Sequence, residues 1–260
     1  MTICFPSGDY VSPDLHRVNV DFAFPNLIVG DPGINPWPYL RGDVPHNWYV
    51  DRRVPWMGFL NRDEAHLVYN NALQFRGRKA LEIGCWMGWS AAHLTIAGVD
   101  LDVIDPALQD PDVRQSVVHA LTEVCRQFSL QPSITLHPFA SPQKVEDLGS
   151  QGARWSLLFI DGDHDGLAPL QDAMACERYA EPDCMVLFHD LAAPDVCAGL
   201  DHFRDRGWHT LVYQTMQIMG VAWRGRVQPV SHQPDPAVAW RLPAHLQGYP
   251  VSPHTQAGAN

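Results

Sequence analysis

Between Lys79 and Trp223, short apolar runs alternate with helical patterns, and that alternation constrains the fold more than any other feature of the chain. Lys79-Ala-Leu-Glu-Ile-Gly84, Leu101-Asp-Val-Ile-Asp105, Ser133 to Leu136, Trp155-Ser-Leu-Leu-Phe-Ile160 and Met185-Val-Leu-Phe188 read as strands. His209 to Tyr213 and Met219 to Trp223 read as a closing pair. The spacing predicts helices over Trp89 to Ala97, 112 to 128, Leu167 to Tyr179 and Ala198 to Arg206. In the second of these, Val113, Val117, Leu121, Val124 and Phe128 recur at three- and four-residue steps. Strand and helix in alternation build parallel sheets covered on both faces. The expectation is therefore an α/β fold with a doubly wound, mostly parallel seven-stranded sheet.

The flanks read differently. Residues 1–57 are rich in Pro, Trp, Asp and Asn, as in Asp31-Pro-Gly-Ile-Asn-Pro-Trp-Pro-Tyr39, and proline disfavours regular helix there. Trp37, Tyr39, Trp48, Tyr49 and Trp56 are too many aromatics for a solvated tail, so this arm reads as a lid or a packed segment, and the same aromatics also suit a homodimer interface. Order begins at Asn61-Arg-Asp-Glu64, a capping-box pattern that opens a helix to about Phe75. One domain is expected over 58–227, followed by an irregular tail over 228–260.

A net charge of -11 argues against a general affinity for nucleic acid or an anionic membrane. The six cysteines show no metal-like spacing and mostly sit in apolar runs, as buried thiols do. No secretory leader or membrane-spanning stretch is visible, so the expected setting is the cytoplasm.

In open α/β sheets, ligands bind beyond the carboxyl ends of the strands. That rule selects Gly84 to Ser90, Asp105, Asp161 to Asp165, and His189-Asp190, each directly after an apolar strand. The first loop reads Glu82-Ile-Gly-Cys-Trp-Met-Gly-Trp-Ser90. Dinucleotide binding needs a glycine where Trp86 stands, because the pyrophosphate touches the chain there. The loop suits a nucleoside without phosphate, and a NAD-dependent oxidoreductase becomes the weaker alternative.

The pattern E-x-G-x-x-x-G-x-S resembles motif I of class I S-adenosylmethionine (SAM)-dependent methyltransferases. The resemblance implies the Rossmann-like methyltransferase fold and SAM as cofactor. It implies a binding set of Glu82, Gly84, Trp86, Gly88, Ser90, Asp105, Ser141 and Asp161, with Asp105 on the ribose hydroxyls. Asp161-Gly-Asp-His164-Asp165 followed by Phe188-His189-Asp190 is similar to the subgroup of macrocin-type sugar O-methyltransferases and cephalosporin-hydroxylase-like proteins, over about residues 58–224. That subgroup implies a divalent cation on Asp161, His189 and Asp190. Mg²⁺ prefers oxygen donors, whereas the imidazole suits Mn²⁺, Fe²⁺ or Zn²⁺.

The family's Pro-Gly-Gly turn before the fifth strand is Pro182-Asp183-Cys184 here, a place where Asp can tolerate a positive φ. His164 stands where related catechol-type enzymes carry a general base, and imidazole is matched to that task near neutrality. The expected activity is methyl transfer to a small-molecule hydroxyl, with His164 and Asp161 catalytic. A SAM-binding, hydroxylase-like or non-catalytic relative remains the alternative.

Overall fold

The computed structural model describes residues 3–252. The prolines of the first sixty residues permit only short regular pieces. These are β1 (Leu27–Val29), β2 (Tyr49–Asp51) and β3 (Gly58–Phe59), paired antiparallel in the order β1-β2-β3. The rest of this segment is irregular yet packed. Val11, Leu15, Val20, Ala23 and Phe24 are buried in the main core, and the Trp48 indole fills the space where a side chain at Gly58 would stand. The segment is a wrap held against the domain rather than a solvated arm.

The capping box opens α1 (Arg62–Ala72) as expected. Asn61 Oδ1 accepts from Glu64 N at 2.9 Å, and Glu64 Oε2 accepts from Asn61 N at 3.0 Å. Alternating elements follow: β4 (Lys79–Ile83), α2 (Trp89–Ala97), β5 (Asp100–Ile104), α3 (Pro111–Phe128) and β6 (Ile134–His137). Then come α4 (Gln143–Ser150), β7 (Trp155–Ile160), α5 (Ala168–Arg178), β8 (Ala180–Phe188), α6 (Pro194–Asp205), β9 (His209–Tyr213) and β10 (Met219–Arg224).

Two details differ from expectation. The helix α4 was not foreseen, because its buried positions, Val145 and Gly149, are too few to print an apolar stripe. Pro182-Asp183-Cys184 is not a turn. It lies inside β8, and Asp183 accepts the Arg226 guanidinium at 2.7 and 3.0 Å across the strand end, so no positive φ is needed there.

The large sheet runs β6-β5-β4-β7-β8-β10-β9, parallel as far as β8, with β10 antiparallel to both β8 and β9. It is the doubly wound, mostly parallel seven-stranded sheet that the sequence predicts, flanked by helices. Side chains alternate between the two faces along β4, along β7 from Leu157 and along β8 from Met185. Ala80, Leu157, Phe159, Met185 and Leu187 enter one core layer, whereas Leu81, Ile83, Leu158, Ile160, Val186 and Phe188 enter the other. Strands buried on both faces read as near-continuous apolar runs, which is why they were legible. No described helix is long and apolar enough to cross a membrane.

Candidate active site

The register of the sheet makes the site. Ile104, Ile83, Ile160 and Phe188 lie in one row across β5, β4, β7 and β8. Backbone bonds carry the row one residue further, from Gly84 N to Ile104 O, Asp161 N to Ile83 O and His189 N to Ile160 O, at 2.9, 2.8 and 3.3 Å. The strand order reverses about β4 and β7, so their loops splay apart and leave a crevice. A cavity of about 670 Å³ opens there, lined by Gly84, Trp86, Ser90, Asp105, Ser141 and Asp161 from the expected cofactor set. Gly88 lies behind it as the left-handed cap of α2, and Glu82 lies beneath, fully buried.

Gly84 has φ +83, and a side chain there would run into the Asp161 carbonyl, so only glycine fits. Asp105 holds the loop itself. Its Oδ2 accepts from Cys85 N and Trp86 N, both at 2.8 Å, and its Oδ1 accepts from Ala107 N at 2.7 Å. The amides that would cradle a diphosphate are therefore already engaged, and the Trp86 side chain lines the cavity as well. Several buried polar atoms around the crevice make no hydrogen bond within the protein: both Glu82 carboxyl oxygens, Trp86 Nε1 and Asp172 Oδ1. Orphaned buried groups in a native fold call for a ligand that satisfies them. Burial, with the charges of Asp161 and Asp105 added, pushes the Glu82 carboxyl well above its usual range, against the opposing Ser90 hydroxyl.

The second cluster closes the floor. His189 Nδ1 lies 3.3 Å from Asp161 Oδ1 and 3.1 Å from Asp190 Oδ2. His164 Nε2 lies 3.5 Å from Asp161 Oδ1 and 3.3 Å from Asp190 Oδ2. The expected metal residues do come together, and His164 joins them. Asp161, His164 and Asp190 offer donor atoms within 4.8 Å of one another. Burial disfavours charge on His189, but Asp190, Asp161 and Glu64 outweigh it and raise its pKa well above the ordinary imidazole value. The same balance, with Asp190 and Asp161 prevailing over burial, raises His164. Burial works against the Asp190 carboxylate too, and His189 with His164 hold it below its usual range.

Residues that the sequence did not assign to the site complete the cluster. Glu64, fully buried on α1, approaches His189 Nε2 to 3.3 Å and accepts from Gln217 N at 2.7 Å. Burial opposes its charge, and His189 with the Gln217 and Asn61 amides hold it ionised. Gln217 Nε2 donates to Asp190 Oδ1 at 3.0 Å, while its Oε1 accepts from Arg41 N at 2.8 Å. Asp172, on α5, is pushed up to about 6 by burial, with Asp163 adding to the shift and Ser141 opposing it. Other histidines are structural: His66 and His93 bond backbone carbonyls inside the core, and His202 pairs with Glu177 at 2.8 Å.

Two carboxylates with one imidazole, His164 or His189, form a donor set that fits a divalent cation, and the nitrogen favours Mn²⁺, Fe²⁺ or Zn²⁺ over Mg²⁺. His189 has the arrangement usual for a ligating histidine, one nitrogen in the cluster and the other toward a carboxylate. His164 stands at the mouth, its ring 5.4 Å from that of Trp37.

Residues 81–191 match a family model described as a methyltransferase domain. No curated protein sequence matches the chain. Among solved structures, the fold is similar to the O-methyltransferase TomG from Streptomyces achromogenes, which is involved in tomaymycin synthesis and was solved with SAM. That likeness has 16% identity and a TM-score of 0.52, over 64% of this chain and 82% of TomG. It is also similar to a protein from Klebsiella pneumoniae provisionally classed as an O-methyltransferase, at 15% identity and a TM-score of 0.50, over 64% and 81% of the two chains.

Proposed function

We propose that the methyltransferase domain matched over residues 81–191 makes this chain a SAM-dependent enzyme that methylates a hydroxyl of a small molecule, with a divalent cation assisting. The observation that carries this reading is the meeting of two clusters in one crevice. A phosphate-excluding nucleoside loop adjoins the Asp161, His164, His189 and Asp190 group. The finer kinship, to the macrocin-type and cephalosporin-hydroxylase-like subgroup, belongs to the proposal and is supported by Asp161-Gly-Asp-His164 and Phe188-His189-Asp190.

The sulfonium methyl of SAM is already activated, so the protein's task is orientation and charge handling. Holding donor and acceptor in line is worth as much as roughly 7 to 11 kcal/mol. Asp161, His189 and Asp190 would hold the cation, which supplies Lewis-acid polarisation of the acceptor oxygen when bound. Glu64 keeps the His189 ring turned so that Nδ1 faces the cluster. His164, at the mouth, takes the acceptor's proton, a contribution of about 100- to 10,000-fold. Two carboxylates within 3.5 Å of its Nε2 favour the imidazolium before transfer as well as after it. A cation on Asp161 and Asp190 would offset their charge and return the ring to the neutral form that a base needs.

The test is calorimetric titration with SAM and with Mn²⁺, followed by methyl-transfer assays of His164→Ala, His189→Ala and Asp161→Asn. His164→Ala should lose about 100-fold or more in kcat and keep Mn²⁺ if His189 supplies the nitrogen ligand, with His189→Ala losing Mn²⁺ affinity. Loss of Mn²⁺ in His164→Ala would make His164 the ligand and remove it as the base. Unchanged turnover in all three would refute the roles assigned. Binding of SAM with no methylated product from any hydroxyl acceptor would leave a SAM-binding protein without transferase activity. Capture of NAD in place of SAM would move the chain to another class of enzyme.

A further inference from the structure

The turn between β9 and β10 carries a residue that joins three parts of the molecule. Gln217 is 4% exposed, and each of its polar groups is engaged. Its backbone N–H donates to Glu64 Oε1 at 2.7 Å, and its backbone O accepts from Ala192 N at 3.3 Å. In the side chain, Oε1 accepts from Arg41 N at 2.8 Å, while Nε2 donates to Asp190 Oδ1 at 3.0 Å and to Tyr39 O at 3.4 Å. A single primary amide therefore ties the wrap to a carboxylate read above as a cation ligand.

The backbone on both sides of this contact is strained. Asp190 has φ +60 and Ile218 has φ +62. Left-handed backbone is rare for a β-branched residue and persists only where the surroundings impose it. Here they do. Ile218 is fully buried in the second core layer, and its carbonyl accepts from Leu191 N at 3.0 Å. The two turns are clamped together with the Asp190 carboxylate and the Gln217 amide side by side. Strain of this kind gathers where side chains must be held for a task.

The Asp190 carboxylate divides its oxygens. Its Oδ2 faces His164 and His189, at 3.3 and 3.1 Å, whereas its Oδ1 faces Gln217. A cation held by the cluster would fix this carboxylate, and with it the acceptor that Gln217 Nε2 requires. The amide so fixed presents Oε1 to Arg41 N. The neighbouring Trp37 and Leu40 line the crevice, so the same bonds set the inner face of the wrap. Coupling between two sites is reciprocal: a wrap in place favours the cation as much as the cation favours the wrap.

We infer that Gln217 is a positioning residue that couples the cation site to the wrap, so that a cation on the Asp161 and Asp190 cluster holds residues 37–42 against the crevice. The inference rests on the cation reading proposed above.

The experiment follows hydrogen–deuterium exchange by mass spectrometry in the full chain, with and without saturating MnCl₂, and measures Mn²⁺ affinity by calorimetry. In the wild type, Mn²⁺ should slow exchange across residues 38–44 by about fivefold or more, with β2 (Tyr49–Asp51) unchanged. Gln217→Met, which keeps the shape and removes both side-chain bonds, should lose that response and bind Mn²⁺ about 10- to 100-fold more weakly. Arg41→Ala keeps the backbone N–H and loses only the guanidinium, which donates to Thr215 O at 3.3 Å, so its response should match the wild type. The inference is overturned if Mn²⁺ binds wild-type protein and leaves exchange over 38–44 unaltered, or slows β2 equally. It is overturned too if Gln217→Met keeps the response or Arg41→Ala loses it. The wild-type comparison stands by itself, so a variant that fails to fold does not protect the inference. Wild-type protein that takes up no Mn²⁺ breaks the cation reading and the inference with it, whereas uptake without a response in the wrap breaks the inference alone.

Discussion

Where the wrap meets α1, Arg62 is 3% exposed and fully paired: it donates to Asp21 at 2.7 and 2.8 Å and to Asp9 at 2.8 Å. Nearby, Asp63 accepts from Ser12 N at 2.9 Å and pairs with His232 Nε2 at 2.7 Å, tying the start of the chain and its tail to one helix. At the floor of the crevice the treatment of buried charge is the reverse. Glu82 is fully buried with neither carboxyl oxygen partnered, and Asp172 has one oxygen unpartnered. A buried polar group left alone costs about 1 to 3 kcal/mol, more if charged. The wrap thus uses paired charge to fix a structure, whereas Glu82 and Asp172, pushed toward their neutral forms by burial, keep polar atoms unengaged for something that arrives.

Arg62 is where the contrast breaks most sharply. Removing one member of a buried, paired set leaves the others uncompensated, at a cost of about 3 to 5 kcal/mol. For a chain of this length that corresponds to a loss on the order of 10 °C in Tm. Arg62→Ala should therefore melt early by scanning calorimetry, while protein kept cold should still bind SAM with near-normal affinity. Normal melting with damaged SAM binding would mean that the wrap's ion pairs serve the ligand and that the distinction is false.

Glu64 belongs to both regions and sharpens the contrast. One oxygen completes the capping box of α1, and the carboxylate also reaches Gln217 N and the His189 ring. Glu64→Gln removes the charge behind His189 and leaves one acceptor for two buried amides, Asn61 N and Gln217 N. A carboxylate that orients a ligating histidine governs metal affinity by about 10- to 100-fold. Mn²⁺ affinity measured by calorimetry should fall by that amount, with Tm lowered by the one amide left unpaired, a cost of about 1 to 3 kcal/mol. An unaltered affinity would assign Glu64 to the wrap alone.

The same contrast explains what the sequence could tell. Gly84, Asp105, Asp161, His189 and Asp190 were legible because each follows an apolar strand, and strand ends in a parallel sheet point at one crevice. Level register then brings them together with no further information. Glu64 was legible only as a cap, since nothing local says that the turn carrying Gln217 folds back onto α1. Asp172 carries no motif, and its burial depends on the packing of α5. A single acid on an otherwise buried helix face was the available signal. Trp37 was visible as one of many wrap aromatics, but three-residue strands leave too little period to fix which ring lands beside His164.

The smallest expected effect lies at Asp172, and its sign tests whether floor charge is held at a cost. Its carboxyl titrates near 6 in the folded protein, against about 3.9 in an unfolded chain. The folded state therefore holds a proton that the unfolded state releases between those values. The stabilising contribution of the protonated form is fully present below about pH 4 and is lost as pH rises through 6. A carboxyl raised that far loses about 2 to 3 kcal/mol of stability across the window. Asp172→Asn cannot ionise and escapes that loss. It should melt above wild type by about 5 °C at pH 7.5, with the difference vanishing near pH 4. If SAM or the acceptor uses the unpartnered oxygen, the same variant binds it more weakly, so greater stability would come with weaker binding. A variant that melts lower than wild type at pH 7.5 would show that Asp172 is satisfied by the protein itself, and the floor would then resemble the wrap.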